Sequence, residues 1–225
     1  MRRPGAAIGH DSRMTTPSEP RSVKISEDER GAWTSDRTGR GGRPPRPPDI
    51  SVRSRVLRPA DRLRYSPGSL LVIVSASAAE RDRFAQRVLE DRSALFSLDK
   101  VRALLAGRVR ADELEERATH VLDAAVAKRL QANETVVIAA DGVGREAREG
   151  FVRMAAAAER PRHLILLEVP REQVPEEDRA TLNELRRALD AGELGAEGFQ
   201  TVLRLGGAAI SEVKRILFRP PPRDD

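Results

Sequence analysis

From Leu70 onward, apolar residues arrive in short dense runs, and between the runs they recur at helical spacing. LLVIVS over 70–75 is unbroken and branched, which predicts a strand buried on both faces. AAERDRFAQRVLED over 78–91 sets Phe84, Val88 and Leu89 on one side of a helix. SLDKVRALLAG over 97–107 predicts a second helix, with Ser97 as N-cap and Gly107 as stop. Residues 111–131 predict a long amphipathic helix, apolar at Leu114, Ala118, Val121, Leu122, Ala125 and Leu130. TVVIAA over 135–140 predicts a second buried strand, 145–159 a helix stopped by Pro161, and HLILLEV over 163–169 a third strand ended by Pro170. Residues 175–192 predict a surface helix with acids at its start and Arg186 and Arg187 late, the order the helix dipole favours. FQTVLRL over 199–205 predicts a fourth strand and EVKRILF over 212–218 a fifth, at an edge.

Strands alternating with helices predict an α/β domain whose mostly parallel sheet of about five strands is covered on both faces. Ligands in such sheets bind beyond the carboxyl ends of the strands. The loops to inspect are therefore 75–82, 139–145 and 170–175. The expected division is a disordered Arg/Gly/Pro-rich tail over 1–66, the α/β domain over 67–219 and a charged end over 220–225.

Composition sharpens that division. Residues 1–68 carry 15 Lys and Arg against 8 Asp and Glu, together with 9 of the 15 prolines. The remainder carries 25 basic and 27 acidic residues, so the net +5 of the chain comes from the N-terminal segment. RTGRGGRPPRPPDI over 37–50 has almost nothing to bury and cannot offset the entropy of folding. The basic stretch 37–64 is open to three readings: a non-specific nucleic-acid contact, a ligand for a proline-recognising module, or a solvated tail. The near-neutral remainder argues against a polynucleotide-binding face on the domain itself.

There is no cysteine, and His10, His120 and His163 lie far apart, so no zinc-type site is expected. No apolar run approaches the ~20 residues of a membrane span. The N-terminus, MRRPGAAIGHDSR, starts basic but lacks the apolar stretch of a secretory signal. A cytoplasmic protein with no membrane contact is expected.

The loop after the first strand carries the candidate chemistry. A phosphate loop places GxxxxGK[ST] between a strand and a helix. Its glycines let backbone N–H groups approach the phosphates, the lysine reaches the terminal phosphates, and the hydroxyl binds magnesium. Laid on this chain, the first glycine falls at Ser75, the second at Glu80, the lysine at Arg81 and the hydroxyl at Asp82; Ser77 lies inside the loop. Arg81 keeps positive charge but is bulky and planar, unlike a compact ammonium. Glu80 and Asp82 make the loop net negative, the wrong sign for a triphosphate, and occupy the helix N-terminus that would otherwise favour an anion. The plainer reading of SASAAERD is a strand-to-helix turn with acids capping the helix.

The order of elements from Leu70 to Leu205 resembles the kinase domain of bacterial polynucleotide kinase-phosphatases and related P-loop kinases of the AAA_33 type. SLDKVR (97–102) resembles the family's SSDxxR motif. VIAADGVGREAR (137–148) resembles its VVDATN strand and following helix, and ELGAEGFQTVLRL (193–205) its closing turn and strand. The resemblance implies a three-layer P-loop NTPase fold of the nucleoside-kinase kind. It places Asp99 where the general base accepts the substrate hydroxyl proton and Arg102 where an arginine holds the substrate phosphate. The family's Asp is replaced by Ala139 and its Asn by Gly142, with Asp141 on the same loop. In the lid region only Arg171 and Arg179 stand for the arginines that clamp the transferring phosphate. Asp99 also suits plain capping of its helix, and Arg102 a surface ion pair. The expectation is a kinase-fold pseudoenzyme: a binding or regulatory module with a degenerate phosphate loop, an unknown protein partner, no metal, and no cofactor beyond weak ATP and magnesium. The alternative is an ATP-dependent kinase acting on a nucleotide, a polynucleotide end or a small metabolite, with Arg81 in place of lysine.

Overall fold

The computed structural model describes residues 48–220. Six strands form one parallel sheet: β1 (Arg55–Val56), β3 (Leu70–Ser75), β4 (Leu95–Ser97), β5 (Val136–Ala139), β6 (Arg162–Glu168) and β7 (Thr201–Gly206), in the order β1-β7-β6-β3-β5-β4. β3 sits near the centre because every residue of LLVIVS is buried, flanked by β5 (Leu70 opposite Val136) and β6 (Leu70 opposite Arg162). Successive residues face opposite sides. Leu70, Val72 and Val74 pack with α3 (Leu114–Gln131), α4 (Glu146–Ala157) and α5 (Arg179–Asp190), through Leu122, Val126, Val152, Leu182 and Leu185. Leu71 and Ile73 pack on the other side with Phe84, Ala85 and Val88 of α1 (Ala78–Val88). α2 (Leu98–Leu105) follows β4 directly, and Ser97 caps it by accepting from Lys100 N at 3.3 Å. The result is the α/β domain with a parallel sheet between helical layers that the alternation of elements predicts.

Two expectations are corrected. The stretch 212–218 supplies no edge strand to the main sheet. Glu212 ends α6 (Ala208–Glu212), and β8 (Arg215–Phe218) pairs in parallel with β2 (Arg62–Tyr65) in a separate two-stranded sheet. Residues 48–66, expected to be tail, belong to the domain: Val52 N donates to Gly195 O at 2.9 Å, Arg55 N to Gln200 O at 2.9 Å and Leu57 N to Val202 O at 2.7 Å. The basic count hides a period of two in RLRY, where Leu63 and Tyr65 are buried while Arg62 and Arg64 point to solvent. Residues 48–220 belong to one compact unit. The expected disorder of residues 1–47, and residues 221–225 of the charged end, lie outside the described residues.

Gly195 makes this docking feasible, since a Cβ there would collide with Val52 O. A Gly195→Ala substitution should therefore cost ~1–3 kcal/mol through overpacking. It should also raise amide hydrogen exchange along 50–57 while leaving β3 protected. Unchanged exchange at 50–57 would show that this segment does not depend on the close approach.

Candidate functional site

The carboxyl edge of the sheet gathers the β3–α1, β4–α2 and β5–α4 junctions. At β3–α1 the chain passes from strand to helix across Ala76 and Ser77 alone. Ser75 Oγ accepts from Ser77 N at 3.2 Å, Ser77 Oγ accepts from Glu80 N at 3.3 Å, and Arg81 N donates to Ser77 O at 3.0 Å. Residues 78–80, which a phosphate loop would hold open as a ring of donors, are the first turn of α1. Alanine at 78 and 79 favours helix and Ser77 is a strong N-cap, so the local sequence selects this geometry.

Arg81 is only 1% exposed. Its guanidinium turns inward across the strand ends, donating to Ala140 O after β5, to Asp99 Oδ2 at 3.4 Å and to Asp82 Oδ1 at 2.9 Å. The group standing at the lysine position thus ties three junctions together. Asp99 heads α2, and both of its oxygens face guanidinium groups, Oδ1 accepting from Arg102 at 2.8 Å. Arg102 also grips Glu115 through two bonds of 2.7 and 2.8 Å and reaches Asp141 Oδ2 at 2.9 Å. These carboxylates, Glu115 first, hold the Arg102 guanidinium well above its usual value; in return the Arg102 hydrogen bond holds Glu115 below the ordinary carboxylate range. Four carboxylates (Asp82, Asp99, Asp141 and Glu115) meet two arginines, so the cluster is net negative.

Arg148 is a further buried arginine on this edge that the sequence did not reveal as such. It forks onto Glu197 at 2.7 and 2.8 Å and donates to Val143 O and Gly144 O, fastening the β5–α4 loop to the turn Glu193–Glu197. Its partner lies 49 residues away, a separation that no local pattern signals.

The lid-region arginines come together elsewhere on the edge. Arg171, Val174, Arg179, Asn183 and Arg186 line a cavity of about 340 Å³. Arg179 pairs with Glu176, but its Nε is buried without a hydrogen-bond partner. Arg186 is committed to Glu168 at the end of β6, which also accepts from Arg204 at 2.7 Å. Burial works to raise the Glu168 pKa, but the two arginines prevail and hold it below the ordinary value. The structure therefore brings Ser75, Ser77, Arg81, Asp82, Asp99 and Arg102 together with Asp141 and Glu115, and sets Arg171 and Arg179 around a separate cavity.

A parallel sheet with its polar cluster at the carboxyl edge and a central strand-to-helix junction is the arrangement of P-loop kinase-like proteins. The model of the AAA_33 family, described as an AAA domain, matches residues 70–192, more than half of the chain, and the chain belongs to that family. A solved structure of a candidate kinase from Chloroflexus aurantiacus J-10-fl is similar at 13% identity, covering 65% of this chain and 88% of that one with a TM-score of 0.34. No curated protein matches the chain. Among the described residues no cluster of three or more metal-ligating side chains occurs, and no helix is long and apolar enough to cross a membrane.

Proposed function

We propose that this AAA_33 chain is a cytoplasmic pseudoenzyme, a kinase-fold binding or regulatory module that does not turn over ATP at its degenerate β3–α1 loop. The carrying observation is the fate of Arg81: it lies inside the protein, bonded to Ala140 O, Asp82 and Asp99, with none of its length left to reach a phosphate. The helical first turn at 78–80 and the net negative cluster support the same reading. Phosphoryl transfer depends on positioning and charge neutralisation. Here the backbone donors are folded into a helix and the local charge has the wrong sign.

A kinase of the kind resembling polynucleotide kinase-phosphatases is the second reading. One observation favours it: the arginine-lined cavity around Arg171 and Arg179, with its unpartnered Nε, is suited to an anion. In that reading Asp99 is the base and Arg102 holds the acceptor. Calorimetric titration of the full chain with magnesium-ATP, together with labelled-phosphate transfer to pooled nucleotides, oligonucleotide ends and small metabolites, separates the two. The pseudoenzyme reading expects no transfer and no saturable binding at micromolar nucleotide. Transfer that is lost in Asp99→Asn would establish the kinase instead.

The basic stretch 37–64 is proposed as a separate, non-specific nucleic-acid contact. Its first part, 37–47, lies outside the described residues, while 48–64 runs on the domain. Binding of the full chain to DNA should fall steeply with salt, and a chain starting at Pro48 should bind more weakly. Equal binding by both chains would remove the N-terminal segment from consideration.

A further inference from the structure

A second cavity, of about 280 Å³, opens beside the β5–α4 loop. Its walls are Leu98 at the head of α2, Leu122 of α3, Ile138 of β5 and Phe151 of α4, so the interior is apolar. Three carboxylates, Asp123, Asp141 and Glu146, stand around it, and no lysine or arginine lines it. Asp141 is answered by Arg102 at 2.9 Å. Asp123 and Glu146 make no hydrogen bond or ion pair among the described residues. Burial pushes the Asp123 carboxyl above its ordinary value, with the charge of His120 opposing, so this carboxylate is under-compensated. Thr119 and Asp123 are shared with a wider trough of about 860 Å³ that adds Asp112, Glu113, Glu115 and Glu116, against Arg117 and His120. Glu115 is held by Arg102, and Asp112 and Glu113 by Arg110 and Arg117, so Glu116 and Asp123 carry the trough's uncompensated negative charge, beside the apolar chamber.

We propose that this cavity binds a protonated organic amine carrying an apolar body, its ammonium between Asp123 and Glu146 and its body against Leu122, Ile138 and Phe151. Small-molecule sites are mostly apolar with a few orienting polar groups, in volumes from about 300 Å³ upward, and this cavity of about 280 Å³ falls just below that range. An anion is repelled by the uncompensated carboxylates. A neutral apolar molecule fits the chamber but leaves Asp123 without a partner. The amine satisfies both surfaces. The inference gives the binding module proposed above its ligand class and in that respect rests on that reading.

The test is calorimetry on the full chain with three matched probes: phenethylamine, 2-phenylethanol and 3-phenylpropionate. Phenethylamine should bind about tenfold more tightly than the alcohol, a difference of ~1.4 kcal/mol, and 3-phenylpropionate should not bind. Asp123→Asn should lower amine affinity about tenfold and leave alcohol affinity unchanged. Gly150→Leu adds a side chain at the exposed rim of the cavity, where an added Cβ meets no heavy atom within 4 Å. That variant exchanges a helical glycine for a better helix former, and by narrowing the mouth it should weaken both the amine and the alcohol. Equal affinities for amine and alcohol, or an unchanged amine affinity in Asp123→Asn, would overturn the proposal. Repeating the amine titration with magnesium-ATP separates the two claims. Tight nucleotide binding alongside intact amine binding defeats only the pseudoenzyme reading. Absence of both defeats only this inference.

Discussion

Arg81→Met should lower the free energy of unfolding by ~2–4 kcal/mol, through imperfect filling of a large buried site and loss of a donor to a buried carbonyl. Methionine matches the stem of Arg81 but leaves Ala140 O without its guanidinium partner. Asp82 and Asp99 are about half exposed and regain water, so their loss of a counter-charge adds little. By the same reasoning Asp99→Asn should cost under ~1 kcal/mol. Urea unfolding of the variants, with an unchanged m-value, reads both. The contrast between them is diagnostic. An arginine kept for a ligand would be cheap to remove, and its replacement would change binding rather than stability. A cost below ~0.5 kcal/mol for Arg81→Met, the level of an ordinary surface change, would mean that Arg81 does not hold the three junctions together.

Lowering the pH from 7 to 4 should cost the protein ~3 kcal/mol through His163 alone. His163 is 7% exposed, with Nδ1 hydrogen-bonded to Thr201 Oγ1 at 2.8 Å, Nε2 to Ser69 Oγ at 3.3 Å, and its ring 4.5 Å from that of Tyr65. Burial, reinforced by the neighbouring Arg162 charge, depresses its pKa to about 4. The unfolded chain takes up this proton near pH 6.5 and the folded chain only near pH 4, so between those values the unfolded state binds more protons. Stability from this residue is full above pH 6.5 and is lost progressively as pH falls toward 4. Denaturant titrations at several pH values on the protein and on His163→Gln isolate it. The difference between the two should shrink by ~3 kcal/mol across that window. A constant difference would show that His163 takes up its proton at the same pH in the folded and unfolded chains.

The central strands were legible because each is a continuous apolar run, and only a strand buried on both faces needs one. β2 was hidden because its two buried residues alternate with arginines inside a basic, proline-rich stretch, so composition outweighed a four-residue period. β4 was hidden because LFS is three residues long and runs straight into the cap of α2. At the candidate site, Ser75, Ser77, Arg81 and Asp82 were readable from their place after β3, and Asp99 and Arg102 from the resemblance of SLDKVR to the family motif. What the sequence could not convey was direction. Arg81 faces a ligand only in the alternative kinase reading, and in the structure it faces Ala140 O, because an arginine one turn into a helix can snorkel out or fold back over the strand ends. Its choice depends on a carbonyl 59 residues away. The bond between Arg102 and Asp141 and the open carboxylate of Asp123 were equally out of reach, since each depends on which helix faces are brought together at the sheet edge.

The amide resonances of residues 76–82, followed while magnesium-ATP is added to the full chain, test the central claim most directly. The account predicts helical chemical shifts at Ala78, Ala79 and Glu80 before addition and no saturable change in them at micromolar nucleotide. Loss of those helical shifts together with saturation at micromolar nucleotide would show that the first turn of α1 opens into a phosphate cradle, and would contradict it.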